Sequence, residues 1–192
     1  MSEKPRLGRW ELLSESPLAD FGLFRVRQDV SRSPRTGRTH AFVVLDGPDW
    51  VNVIALTAAS ELVLVRQFRH GTRSETLEIP GGGVDPRDAS PLEAARREFR
   101  EETGYVSNDW TFLGAVQPNP AIQSNACHTF LARDAVRAGD PEPDAGEDLH
   151  VELHPAGDAD RLVASGAIRH SLVLAAFHWW TLYRRGELPG AC

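Results

Sequence analysis

The chain has 192 residues, of which 41% are apolar and 25% charged, a composition typical of a globular protein rather than a disordered or fibrous one. Its formal net charge of −6 disfavours sequence-independent binding to nucleic acid phosphates, so we expect no nucleic-acid partner. Cys127 and Cys192 do not have the spacing of a metal site. The N-terminus lacks the apolar segment of a signal peptide, and no apolar run is long enough to span a membrane, so we expect a cytoplasmic protein.

The first half of the chain has the pattern of β-strands. Residues 21–31 are rich in aromatic and β-branched side chains and are followed by the turn signal SPRTG. Further strand-like segments follow, separated by short turns: HAFVVLD, WVNVIALT, ELVLVRQFR and TLEIP. Because the pattern begins afresh near WVNVIALT, we interpret residues 1–46 as a separate small sheet that precedes a main domain of residues 47–192.

A helical pattern replaces the strand pattern between Ser90 and Thr103. Ser90 is a favourable N-cap, Pro91 stands at the first helical position, and Glu93 completes a capping box of the S-x-x-E type. Gly104 is the expected C-terminal stop. These signals predict one helix in the middle of the chain.

Strand-like segments return after this helix, and the chain ends in a second helical pattern. The later strands are WTFLGAV, CHTFLARD and LHVELHP, and the final helix covers about residues 170–185. Its predicted buried face consists of Leu172, Ala175, Ala176, Trp179, Leu182 and Tyr183. Strands, a helix, strands and a helix predict an α/β protein, with a mixed sheet packed between helices.

Three carboxylates crowd the end of the central helix. At 100° per residue, Glu98, Glu101 and Glu102 share an arc of about 100° at the edge of the apolar stripe. Their repulsion destabilises a helix by about 0.2–0.5 kcal/mol per pair, and a divalent cation would relieve it. Oxygen ligands select Mg²⁺, Mn²⁺ or Ca²⁺ over zinc. The preceding glycines, Gly81–Gly83, allow the backbone to approach a ligand and to offer a carbonyl.

Residues 81–105, GGGVDPRDASPLEAARREFREETGY, resemble the Nudix box, G-x5-E-x7-R-E-U-x-E-E-x-G-U, in which U is aliphatic. The half from Arg97 to Gly104 matches this pattern, apart from aromatic residues at the aliphatic positions. One extra residue lies between the glycines and Arg97. The first glutamate of the pattern is therefore either Asp88, with eight intervening residues, or is replaced by Ala89.

The resemblance implies an α/β/α sandwich and an enzyme that hydrolyses nucleoside diphosphates linked to another moiety, by attack of water on phosphorus. It also implies Mg²⁺ or Mn²⁺, with metal ligands from the Gly81 carbonyl, Glu98, Glu101 and Glu102. Arg97 would orient these carboxylates by pairing with them. Residues 47–192 would be the Nudix hydrolase domain.

Beyond the box, most of the chain resembles ADP-ribose pyrophosphatases. The similar segments are LVLVRQFR, TLEIPGG and GEDLHVELHP. This resemblance implies cleavage of ADP-ribose to AMP and ribose 5-phosphate. It implies that Glu147, ahead of Glu142, Asp144 and Asp148, serves as the general base or helps to position it. It also makes Arg66 and Arg69 candidates for substrate binding, with Glu78 as a further polar support.

The same branch implies a homodimer built with the N-terminal strands, in which aromatic residues stack on the adenine. Trp10, Phe21 and Phe24 are the candidates, and burial in a core is the alternative for each. Other substrates stay open, because QPNPAIQSNACH is unlike the corresponding loop of a typical ADP-ribose enzyme. The alternatives are another nucleotide sugar, such as a UDP- or GDP-sugar, a dinucleotide such as NADH, or a nucleotide sensor without catalysis.

Overall fold

A computed structural model describes residues 7–143 and 146–188 of the chain, so that Asp144 and Cys192 lie outside the described residues. The described part forms two compact units. One contains the residues up to Pro48 together with Gln117–Asn125, and the other contains Asp49–Val116 and the residues from Ala126 onwards. The roles of residues 1–46 and 47–192 as separate domains stay a prediction.

The first unit is built on an antiparallel sheet of three strands in the order β1–β2–β3. The strands are β1 (Glu11–Asp20), β2 (Arg25–Arg32) and β3 (Thr39–Asp46). Strand β1 was not predicted, because it is exposed along nearly its whole length and has no regular apolar alternation. The segment 117–125 joins this unit through the N–H of Leu45, which donates to the carbonyl of Ile122 at 2.7 Å.

Large apolar side chains of this unit are exposed rather than packed in a core. Phe21 is 65% exposed and Phe24 is 36% exposed. The others are Leu7, Trp10, Leu12, Leu13, Leu18, Leu23, Phe42, Val43 and Ile122. The alternative that Trp10, Phe21 and Phe24 belong to a core is therefore wrong for this structure.

The second unit is a mixed sheet with helices on both faces. Its strands run in the order β10–β5–β4–β9–β7, with β6 paired to β5 and β8 paired to β9, and only β4 and β9 are parallel. In chain order the elements are β4 (Trp50–Thr57), β5 (Glu61–Arg69), β6 (Ser74–Glu78), α1 (Pro91–Thr103), β7 (Tyr105–Val106), β8 (Asp109–Val116), β9 (Cys127–Arg137), β10 (Leu149–Pro155), α2 (Ala159–Ala164) and α3 (Ser171–Arg184).

Alternation along the strands fills a core on each face of this sheet. Val53 packs with Phe99 of α1, whereas the next residue, Ile54, packs with Trp180 of α3 on the opposite face. The residues at the centre of both cores are buried. The predicted mixed sheet between helices is confirmed.

The predicted ends of α1 are confirmed. The Ser90 hydroxyl accepts a hydrogen bond from the N–H of Glu93, and Gly104 closes the helix with a φ of +72°. The carboxylate of Glu93 bonds to Arg96 at 2.8 Å. Because its two termini are fixed, α1 presents Glu98 and its neighbours in a defined direction.

The predicted core or dimer-contact face of α3 is only partly correct, since Ala176 is buried and Trp179 and Tyr183 pack against the core without being buried. The buried residues are Val173, Ala176, Phe177 and Trp180, and only Ala176 was predicted. Because α3 is apolar on nearly all sides, periodicity did not define its buried face. No helix among the residues described here is both long and apolar enough to cross a membrane.

Candidate active site

The loop after β6 runs beside β4 and brings backbone groups to α1. The N–H groups of β4 donate to the carbonyls of Pro80 and Gly82 at 2.8 and 2.9 Å. Since these two carbonyls point to β4, alternation directs the Gly81 carbonyl away from it. The N–H of Gly81 donates to Glu102 Oε2 at 2.8 Å, which places this glycine against α1.

At two of the three positions, a side chain larger than that of glycine would collide with neighbouring atoms. A Cβ at residue 81 would lie 2.1 Å from the carbonyl oxygen of Val51, and one at residue 82 would lie 2.5 Å from the carboxylate of Glu98. At residue 83, a Cβ would meet nothing within 4 Å. Gly81 and Gly82 therefore allow the contact between loop and helix, whereas Gly83 is not required for it.

Glu98 and Glu102 lie one turn apart on α1, and both contact this loop. Glu102 is 3% exposed, and the side chain of Glu98 is 14% exposed. Glu101 is directed more to solvent, with 43% of its side chain exposed. The structure thus brings Glu98, Glu102 and Gly81 together, with Glu101 at their margin.

Burial disfavours the charged forms of both inner carboxylates. It raises the pKa of Glu102 to about 8; the charges of Glu98 and Glu147 add to this rise, while the hydrogen bond from Gly81 opposes it. Burial also raises the pKa of Glu98, against the opposing effect of Arg97. Additional positive charge at this contact would stabilise the ionised carboxylates.

The guanidinium of Arg97 connects the helix, the loop and the carboxylates. It donates to both carboxylate oxygens of Asp88, at 3.0 and 2.8 Å, and to the carbonyl of Gly83 at 2.9 Å. Its Nη1 donates to Glu98 at 2.9 Å and to Glu101 at 3.0 Å. Arg97 therefore orients these two glutamates, as the sequence suggested.

The sequence left two alternatives for the first acidic position of the box, Asp88 and Ala89. Asp88 is the partner of Arg97, and its side chain is only 8% exposed. Its carboxylate also accepts from the N–H of Asp85 at 2.8 Å. The hydrogen bonds from Arg97 lower the pKa of Asp88 and keep it ionised near neutral pH. The geometry thus favours Asp88.

A cation at this site would have to use side-chain and backbone oxygens together. Within residues 7–143 and 146–188, no three His, Cys, Asp or Glu side chains are grouped closely enough to hold a metal ion by themselves. The carboxylates of Glu98 and Glu102 and the carbonyl of Gly81 are hard oxygen donors. Burial of both carboxylates at a loop with no room for a Cβ fits a small divalent cation.

An ion pair between buried Glu78 and partly exposed Arg69 adjoins this site. Arg69 donates to both oxygens of Glu78, at 2.9 and 2.8 Å, and Thr76 donates to Glu78 at 2.6 Å. Burial acts to raise the pKa of Glu78, but these hydrogen bonds outweigh it and the pKa is lowered. Besides Glu78, the charges of Glu102 and Glu147 stabilise the Arg69 guanidinium, which places Arg69 close to the inner carboxylates.

Glu147 lies in the loop between β9 and β10 and is exposed. Its charge raises the pKa of both Glu98 and Glu102. Glu147 is therefore within electrostatic reach of the two inner carboxylates, although it comes from a distant part of the chain. This position is compatible with the predicted role in catalysis.

The other acidic candidates in the same loop are placed differently. The backbone N–H of Glu142 donates to the carbonyl of Glu101 at 2.7 Å, which ties the start of the loop to α1. Asp148 is exposed, and Asp144 lies outside the described residues. Neither the side chain of Glu142 nor that of Asp148 affects the pKa of Glu98 or Glu102 as Glu147 does.

Arg66 is not brought to the carboxylates. It pairs with Glu152 of β10 at 2.5 Å. Leu64, two residues earlier on β5, packs on the face covered by α3, so alternation places Arg66 on that face. Glu98 and Glu102 belong to the opposite layer.

Sequence reasoning missed Asp49, which supports the loop from its other end. Its carbonyl accepts from the N–H of Val84 at 2.8 Å. Its carboxylate accepts from the N–H of Ala126 at 2.8 Å and pairs with His128 Nε2 at 2.9 Å. Asp49 thus links the end of the glycine loop to the start of β9. No motif marks it, and only its position after a Gly-Pro turn could have drawn attention to it.

Comparison with known proteins agrees with this geometry. The profile of the NUDIX domain family matches residues 48–177. An ADP-ribose pyrophosphatase of Mycobacterium tuberculosis is 28% identical over 167 residues, which cover 86% of this chain and 80% of that protein. An ADP-sugar pyrophosphatase of Mus musculus is 30% identical over 185 residues, which cover 91% of this chain and 81% of that protein.

A solved structure has the same fold. The crystal structure of an ADP compounds hydrolase superimposes with a TM-score of 0.83 at 24% sequence identity. The superposition covers 96% of this chain and all of that one. At this level of identity the likeness establishes the fold and leaves the substrate to be argued from the site.

Proposed function

The chain belongs to the NUDIX domain family, in its ADP-ribose pyrophosphatase-like branch, and from this premise we propose that it hydrolyses ADP-ribose to AMP and ribose 5-phosphate. It is a Nudix hydrolase of the pyrophosphatase type. The observation that carries the proposal is the burial of Glu98 and Glu102 against a loop in which residues 81 and 82 have no room for a Cβ. A diphosphate is itself anionic, so it can bind next to these carboxylates only if cations lie between the phosphates and the carboxylates.

We propose that the Gly81 carbonyl, Glu98 and Glu102 hold the metal, and that Glu101, which lies at their margin, would turn towards them to complete the ligand set. Mg²⁺ or Mn²⁺ bound there supplies charge neutralisation for the diphosphate and a lower pKa for the attacking water. Arg97 holds Glu98 and Glu101 in place through its hydrogen bonds, and Asp88 holds Arg97. This arrangement limits the rotation of the carboxylates before the substrate arrives.

Glu147 serves as the general base in this proposal. Its carboxylate takes the proton of the water whose oxygen attacks one phosphorus of the diphosphate, and the bond to the bridging oxygen breaks. The support for this role is its electrostatic contact with Glu98 and Glu102. Arg69, fixed by buried Glu78, presents positive charge to the substrate phosphates. Arg66 has no part in the proposal, because it lies on the opposite face of the sheet.

We also propose that two chains associate through the N-terminal sheet. The exposed apolar side chains of that sheet include Leu18, Phe21 and Leu23, at 55%, 65% and 69% exposure. Large apolar side chains exposed in such number on one small sheet are typical of an interface. Light scattering coupled to size exclusion at micromolar concentration tests this, and a monomer would contradict it.

Product analysis tests the reaction. Purified protein is incubated with ADP-ribose, NADH, UDP-glucose or GDP-mannose, with Mg²⁺ or with chelator, and Glu98→Gln serves as the inactive control. We expect AMP and ribose 5-phosphate from ADP-ribose, and none with chelator. Reaction in ¹⁸O-labelled water then identifies the attacked phosphorus by the product that carries the label.

The other outcomes are equally informative. Preferential cleavage of another substrate would retain the hydrolase and overturn ADP-ribose. Cleavage that continues with chelator would overturn the metal assignment. Binding of nucleotides without cleavage of any of them would favour the sensor.

A further inference from the structure

A groove lies along the side of α1 that carries Arg96 and Arg100, next to the candidate active site, with which it shares Asp88, Arg97 and Glu101. It has a volume of about 750 Å³ and runs between α1 and the segment that joins β7 to β8. Its lining includes Arg96 and Arg100 from the helix, Ser107 and Asn108 from the turn between β7 and β8, and Trp110 from β8. The volume lies within the range of small-molecule sites, about 300–1,000 Å³.

The aromatic wall of this groove is held in one orientation. The indole Nε1–H of Trp110 donates to the carbonyl of Ser107 at 2.9 Å. One edge of the indole packs on Phe99 of the core, with the two ring centres 6.1 Å apart and nearly perpendicular. The guanidinium of Arg96 lies over the indole at 5.9 Å from the ring centre, at the outer limit of a cation–π contact. A planar group that stacks on Trp110 would therefore displace only the weak contact between the Arg96 guanidinium and the indole.

Charge in the groove is distributed unevenly. Four carboxylates line it, but Asp88 and Glu101 are bonded to Arg97, and Glu93 is bonded to Arg96. The fourth is Glu142, in the loop that leads to β10.

Arg100, one turn beyond Arg96 on the same face of the helix, makes no ion pair with any residue among 7–143 and 146–188. A fourth guanidinium, that of Arg87, bonds to Asp85 outside the groove. An incoming anion thus has the guanidinium of Arg100, and that of Arg96 next to it, as partners.

We propose that this groove is a second binding site, for a nucleoside monophosphate. The base stacks on the indole of Trp110, its polar edge meets Ser107 and Asn108, and the phosphate binds Arg96 and Arg100. Stacking of this kind is tolerant of base identity. The site requires no metal, because its ligands are guanidinium, indole and neutral polar groups. The proposal does not depend on which diphosphate the enzyme cleaves.

Binding of AMP in the presence of chelator tests the proposal, with isothermal titration calorimetry as the measurement. The variants are Arg96→Ala/Arg100→Ala and Trp110→Leu, with Trp110→Phe as the conservative replacement. Arg161→Ala is a matched control, because Arg161 pairs with Asp158 at 2.8 Å and i,i+3 spacing as Arg96 does with Glu93. Arg184→Ala is another, because Arg184 stacks over Trp180 at 4.2 Å.

We expect saturable binding of AMP to the unmodified protein with one site per chain under chelation. The double arginine variant and Trp110→Leu should each bind about tenfold more weakly or worse, while Trp110→Phe and both controls bind as before. Adenosine and ribose 5-phosphate should each bind more weakly than AMP, since each lacks one half of the contacts.

Two results would overturn the proposal. One is no saturable binding of AMP up to millimolar concentration under chelation, and the other is equal affinity in the double arginine variant. Trp110→Leu could unfold the protein, because the indole packs on Phe99, but Arg96 and Arg100 are exposed on α1 and their loss leaves the core intact. Retained diphosphate hydrolysis by the double arginine variant would separate this groove from the active site, and failure of the ADP-ribose assay leaves the AMP titration interpretable.

Discussion

Arg97 and Asp88 are joined by two hydrogen bonds, of 3.0 and 2.8 Å, although Asp88 stands one residue further from Arg97 than the Nudix pattern requires. The side chain of aspartate is one methylene shorter than that of glutamate. The structure thus retains the carboxylate–guanidinium contact with a different spacing. Because Arg97 also bonds to Glu98 and Glu101, the position of both glutamates depends on Asp88.

We expect Asp88→Asn to weaken Mg²⁺ binding and to lower kcat, each by about 10–100-fold, the usual effect of losing a group that orients metal ligands. Titration of activity with Mg²⁺ at saturating substrate separates the two effects. Asp85→Asn is the matched control, because Asp85 lies in the same loop but bonds to Arg87, whose side chain is 88% exposed. Equal losses in both variants would show that the loop, rather than the Arg97 contact, is what matters.

The buried carboxyl of Glu102 predicts that the metal-free protein loses stability as pH rises. Folding raises its pKa from 4.5 to about 8, so between these values the unfolded chain ionises while the folded chain retains the proton. The contribution of Glu102 to the free energy of unfolding is therefore fully present below about pH 4.5 and is lost as pH rises towards 8. The raised pKa of Glu98 acts in the same direction. From Glu102 alone, the loss between pH 5 and 8 is at most about 4 kcal/mol, at ~1.4 kcal/mol per pKa unit.

Urea unfolding at pH 5, 6, 7 and 8 in the presence of chelator measures this loss. Glu102→Gln removes the titrating group, so its free energy of unfolding should depend much less on pH. Addition of Mg²⁺ to the unmodified protein should likewise flatten the dependence, because a cation favours the ionised form. A metal-free protein whose stability is constant or rises over this interval would contradict the assignment.

The site was predictable where a local spacing carries the chemistry. Glu98, Glu101, Glu102 and Arg97 belong to one short string, so their relative positions followed from the helix. Arg66 and Arg69 are three residues apart on one strand, and sequence alone gave both the same role. Strand alternation alone places them on opposite faces, and the packing of Leu64 and the contact with Glu78 show which face each of them occupies.

The fold was predictable where one face of an element is apolar and the other polar. Strands β4, β5 and β10 have the predicted bounds, and α1 has the predicted caps. The predictions for β1 and α3 were incomplete for opposite reasons. Strand β1 was missed because it has no buried face, whereas the buried face of α3 could not be defined because the helix is apolar almost throughout. In both, pairing or packing with distant residues decides the structure, and no local signal records it.

Replacement of Glu147 by glutamine should lower kcat by about 10²–10⁴-fold with little change in KM, because the amide cannot accept the proton of the attacking water. Glu142→Gln, in the same loop, is the control, and we expect it to retain activity. If the unmodified protein and Glu147→Gln show the same kcat, the base must be sought elsewhere.

The glycine loop allows the same substitution to be compared at two adjacent positions, residues 82 and 83. A Cβ at residue 82 would come within 2.5 Å of the Glu98 carboxylate, which has to turn away, whereas a Cβ at residue 83 meets nothing within 4 Å. We expect Gly82→Ala to weaken Mg²⁺ binding by about tenfold or more and to cost about 1–3 kcal/mol of stability. Gly83→Ala should leave the free energy of unfolding within about 0.5 kcal/mol and the affinity for Mg²⁺ unchanged. Both substitutions add one methyl group to the same loop, so a general effect of loop stiffness would weaken Mg²⁺ binding equally in the two variants. Displacement of Glu98 instead predicts weaker Mg²⁺ binding in Gly82→Ala alone.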